Sequence, residues 1–77
     1  MDKKELKEKI VGLNIDPSMY SLEGKLKEDA CILFKNYAKW DVFYYERGDK
    51  YLEKTFTNES EACVYFLDLL KRHVGLE

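Results

Sequence analysis

Cys31, Cys63 and His73 are the side chains of this 77-residue sequence best suited to nucleophilic or metal chemistry. A Cys–His nucleophile needs its thiol within reach of the imidazole, and a zinc site needs closely spaced sulfur and nitrogen ligands. Cys63 and His73 lie ten positions apart on one predicted helix, hence on different sides of it. No CxxC or HxxxH spacing occurs. Both cysteines fall in apolar stripes, the pattern of buried structural cysteine, and His73 reads as an exposed residue of a helix end. The acid pairs Glu59/Glu61 and Glu46/Glu53 sit at a helix start and along strands, where carboxylates serve solubility. Arg47-Gly48-Asp49 spells an integrin-recognition tripeptide, but a hairpin turn already accounts for it. The expectation is a chain with no catalytic residue, no metal and no cofactor, and not an enzyme.

The elements that would position these residues follow one another closely. Residues 2–13 form a charged helix with a narrow Leu6-Ile10-Leu13 stripe, ended by Gly12, Asn14 and Pro17. Residues 19–22 are a short strand and 23–29 a polar connection. Residues 30–37 are a strand apolar on both faces, and residues 40–47 the clearest strand of all. Gly48-Asp49 is a two-residue hairpin signal, with residues 50–56 returning. Asn58 and Glu61 have capping-box spacing before a helix whose broad apolar face includes Ala62, Cys63, Phe66, Leu69 and Leu70. The predicted fold is α+β: one domain over 1–77, an antiparallel three- to four-stranded meander flanked by N- and C-terminal helices (α-β-β-β-β-α). Residues 75–77 are a tail, with Leu76-Glu77 read as a cloning scar.

With turns at Gly48-Asp49 and near Ala38, one sheet face carries Ile32, Phe34, Trp40, Val42, Tyr44 and Tyr51. The other carries Cys31, Leu33, Phe43, Tyr45, Leu52 and Phe56, together with Lys35, Asp41, Arg47, Lys50 and Lys54. Burying unpaired charge is costly, so the first face is assigned to both helices. The second then exposes aromatics framed by charges, the composition of a docking surface. One helix on each face is the alternative, and it makes Phe43, Tyr45 and Leu52 core.

Composition narrows the partners. The chain is 45% hydrophobic with a net charge of −2, too apolar for a disordered segment. The half from residue 40 onward carries eight acids and five bases, which disfavours nucleic-acid binding and suits a basic protein partner. An RNA-stacking platform would need a glycine–aromatic signature that Val42-Phe43-Tyr44-Tyr45-Glu46 lacks. Two cysteines, no apolar run long enough to span a bilayer and a charged N-terminus place the chain in the cytoplasm, with no membrane partner.

Two stretches carry a resemblance: Trp40-x-Val42-x-Tyr44-x-Glu46-Arg47-Gly48, then Phe56-x-x-Glu59-x-Glu61-Ala62-Cys63-x-Tyr65-Phe66-Leu67. Residues 20–70, about two-thirds of the chain, resemble the small bacterial immunity proteins of polymorphic toxin, contact-dependent competition systems. The resemblance implies a non-catalytic inhibitor that neutralises a cognate secreted toxin by stoichiometric binding. Many such toxins are basic nucleases, which an acidic aromatic surface would attract. Asp41, Phe43, Tyr45, Glu46 and Glu53 are the residues expected to form that surface. The other readings are a structural or regulatory module that forms a homodimer through its sheet and, third, a single-stranded nucleic-acid binder.

Overall fold

Asp2 opens the first helix in the computed structural model, which describes residues 1–76. Its side chain accepts the Glu5 N–H at 2.8 Å and caps α1 (Lys3–Gly12). A 3₁₀ turn over Pro17–Met19, capped by Asp16, leads into β1 (Tyr20–Ser21). Then follow β2 (Ala30–Asn36), β3 (Lys39–Glu46), β4 (Asp49–Phe56) and α2 (Glu59–Val74). Asn58 caps α2 by accepting the Glu61 N–H at 3.1 Å, and Gly75 ends it in the left-handed conformation.

The strands lie side by side in sequence order, β1-β2-β3-β4. From β2 onward the sheet is the expected antiparallel meander. The first pair departs from it, because β1 runs parallel to β2, with Tyr20 opposite Cys31. Parallel neighbours need a connection that returns the chain to its starting end. Residues 22–29 supply it, and the two-residue length of β1 lets so short a crossover suffice.

The faces also need correcting. The turns are Tyr37-Ala38, which sets Asn36 opposite Lys39, and Arg47-Gly48, which sets Glu46 opposite Asp49. The first turn sits half a residue from an Ala38-centred one, so β2 slips by one against β3 and its faces exchange. Cys31 and Leu33 therefore join Val42 under the helices, with Trp40, Tyr44 and Phe56 packed on the same cluster. Lys35 opposite Trp40 and Lys54 opposite Val42 share that face. Phe56 arrives there through a bulge between Val42 and Tyr44 that β4 absorbs near Leu52, whose φ is +55°.

Both helices pack on one side, as expected. Leu6 and Ile10 of α1 and Phe66, Leu69 and Leu70 of α2 belong to the same buried cluster as Val42. Each fully buried side chain of this size contributes about 1.5–3 kcal/mol. The opposite face carries a smaller buried cluster of Ala30, Ile32 and Phe43, with Tyr45 against it.

Gly24 brings the crossover onto that opposite face. Its φ is +79°, and a Cβ there would stand 2.5 Å from Cδ1 of Phe34. Gly24→Ala is therefore expected to destabilise by about 1–3 kcal/mol, from left-handed strain and displacement of the ring. Gly12, in α1, meets nothing within 4 Å and has no such φ, so Gly12→Ala is expected to stabilise by up to about 1 kcal/mol. Urea midpoints of the two variants moving in opposite directions at constant m would check both.

Candidate functional site: the acidic end of the hairpin

Arg47 (φ +52°) and Gly48 (φ +80°) make a two-residue turn with positive φ at both central positions, as a type I′ hairpin requires. The turn leaves the Arg47 N–H outside the ladder. It donates at 2.8 Å to Oε2 of Glu28, which ties the crossover to the hairpin. Next to Glu28, Asp29 adopts φ +54° and its side chain accepts from the Tyr44 hydroxyl at 3.4 Å. The Asp29 carbonyl lies 3.0 Å from Nε2 of His73, which must donate because a carbonyl only accepts.

Four carboxylates thus gather at one end of the sheet: Glu28, Asp29, Glu46 and Asp49. Glu46 and Asp49 stand directly opposite each other across the turn. Burial and the charges of Asp29 and Glu46 push the Tyr44 phenol above its ordinary value. Three tyrosines accompany the acids. Tyr45 is half-buried, Tyr51 is 44% exposed, and Tyr44 meets the His73 ring at a tilt, 4.7 Å between centroids. His73 is accordingly half-buried and engaged, not the exposed residue expected of a helix end.

The five expected surface residues divide. Tyr45 and Glu46 belong to the acidic end. Phe43 lies on the face away from the helices, as expected, but it is only 1% exposed. Tyr45 meets it edge-on at 6.5 Å and the Lys50 ammonium sits 4.8 Å above its ring. Phe43 is therefore core, not docking surface. Asp41 pairs with Thr55, whose hydroxyl donates to it at 2.5 Å, and Glu53 is 3.8 Å from Lys50. Leu52 is 65% exposed and lines a shallow groove with Tyr44, Leu69 and Arg72, while its carbonyl accepts from Tyr65 at 2.8 Å. Glu28, Asp29 and Asp49 were not legible as site residues. The available signal was the acid pair immediately before a strand that must pair with Tyr45.

Cys31 stands directly opposite Tyr44, but neither thiol opens onto this end. Cys31 and Cys63 are free and buried, and burial pushes their pKa values up to about 12 and about 11. Such thiols are poor nucleophiles at neutral pH. Each favours the protonated form more strongly when folded. Their stabilising effect is thus complete below the unfolded value of 9.0 and is lost as pH rises toward 11 and 12. At pH 8, labelling by a disulfide reagent is expected to proceed only at the rate of unfolding. A fast burst of one thiol per chain would contradict this burial. Among the described residues, no three His, Cys, Asp or Glu side chains stand together as a metal-holding group, and no helix is long and apolar enough to cross a membrane. No family model, curated protein or solved structure matches the chain, so the geometry of the acidic end is what bears on its role.

Proposed function

We propose that this chain is a non-catalytic protein-binding inhibitor of the toxin-immunity type, acting in the cytoplasm on a basic partner. The observation that carries this reading is the Glu46–Asp49 pair. Like charges directly opposite each other destabilise a sheet, and a lysine or threonine at either position would relieve the cost. A residue choice that works against the free protein is best explained by what it does in a complex. Cationic groups of a partner would turn the repulsion into attraction and speed encounter. Tyr51 on the face of the Glu46–Asp49 pair and Tyr45 on the other face give both sides of the hairpin end the amphipathic contact area typical of docking surfaces. The resemblance of residues 40–48 and 56–67 to immunity proteins points the same way.

One observation favours self-association as a second reading: β4 is exposed along seven of its eight residues at the sheet edge. The bulge at Leu52 and the charges of Lys50, Glu53 and Lys54 oppose it, since these are the devices that keep edges from pairing. Calorimetric titration against a basic domain recovered by affinity capture with this chain tests the preferred reading. Tyr45→Ala is expected to weaken binding by about 2 kcal/mol, roughly thirtyfold. Undiminished affinity in the folded variant would remove the hairpin end from the interface. A micromolar dimer in sedimentation that excludes the partner would favour the second reading.

A further inference from the structure

A second charged surface lies between α1 and β1, and its sign is opposite. Five lysines, Lys3, Lys4, Lys7, Lys25 and Lys27, line one groove of about 560 Å³. The one acid lining it is Glu23, which is 3.1 Å from the Lys3 ammonium. The groove thus carries four net positive charges in a chain whose net charge is −2.

Two of these lysines are engaged. Lys3 pairs with Glu23, and Lys27 donates to the Pro17 and Tyr20 carbonyls at 3.0 and 3.1 Å. Lys27 thereby holds the crossover against β1. Lys4, Lys7 and Lys25 make no hydrogen bond or ion pair among the described residues. Lys4, Lys7 and Val11 share one α1 stripe at i, i+3, i+7 spacing, and all three line the groove, whereas Glu5 and Glu8 do not. Like charges at that spacing are mildly destabilising unless something neutralises them.

We propose that this groove binds a small organic ligand carrying two or more phosphate groups. Lysine binds phosphate as a point charge, whereas arginine dominates where planar, bidentate recognition of carboxylate or phosphate matters. No arginine lines this groove. Of its apolar lining, the exposed Val11 and Pro17 offer contact to an organic body, while Tyr20 and Leu22 are largely buried. The volume falls within the range of small-molecule sites, about 300–1,000 Å³. A nucleic-acid backbone would need a basic stripe extending beyond the groove. The chain outside the groove is net acidic.

An amide-resolved NMR titration with metal-free ATP at low salt tests this, with inorganic triphosphate and adenosine as separate probes. ATP is expected to shift amides of residues 3–11 and 17–27, triphosphate to bind there more weakly, and adenosine to give no shifts. The triple variant Lys4→Gln, Lys7→Gln, Lys25→Gln is expected to lose tenfold or more in ATP affinity. Lys9→Gln, Lys39→Gln, Lys54→Gln makes the same charge change outside the groove and is expected to lose little. Equal losses in the two triples, or shifts scattered over all lysines, would overturn the site. Triphosphate binding as tightly as ATP would overturn the organic body, and tighter binding of a single-stranded oligonucleotide would overturn the small ligand.

Discussion

Phe43→Ala is expected to cost about 3–5 kcal/mol of folding stability, a large share of what a domain of this size holds. The ring is fully enclosed with Ala30 and Ile32, and Tyr45 and Lys50 close over it. Removing it leaves a cavity on the thinner side of the sheet, where no helix can settle into the space. A urea midpoint close to that of the wild type would show that the face away from the helices contributes little. Tyr45→Ala leaves a partly solvated position and is expected to cost less. These two aromatics, two positions apart on the same sheet face, thus separate core from surface.

Asp49→Lys is the second large effect, and its two consequences have opposite signs. Opposite Glu46 it replaces a like-charge pair with an attractive one, so the free protein is expected to gain about 0.2–1 kcal/mol. In the complex it sets a cation against a basic partner, a juxtaposition that costs several kcal/mol, so affinity is expected to fall a hundredfold or more. A variant more stable and less functional is the signature of a residue retained for binding. Loss of both stability and binding would instead make Asp49 a structural turn residue.

Much of this architecture could be read from the residues. The Asn58 cap, the apolar face from Ala62 to Leu70 and the αL glycine after Val74 were each visible, and α2 forms as they dictate. Both helices do lie on one side of the sheet. What could not be read were places where ordinary residues adopt positive φ. Tyr37 (φ +59°) and Leu52 (φ +55°) are not themselves glycine or asparagine, so residues 36–39 read as a turn but its centre did not, and the bulge had no signal. Each moves the register by one, and at period two that exchanges the faces of β2 and relocates Phe56. The parallel β1 was hidden for another reason: two residues leave no periodicity from which direction can be inferred. The acidic end was half legible, because Glu46 lies in the clearest strand, while Glu28 and Asp29 join it only through the crossover that β1 imposes.

The most direct test of the inhibitor reading is paired affinity capture, with the wild-type chain and Asp49→Lys as baits. Lysate and spent medium come from cells that encode the chain and are confirmed to express its neighbouring genes. The account predicts stoichiometric recovery of one basic domain by the wild-type bait, falling with added salt, and its loss by the more stable variant. Equal recovery by both baits, or recovery of the bait alone, would contradict it.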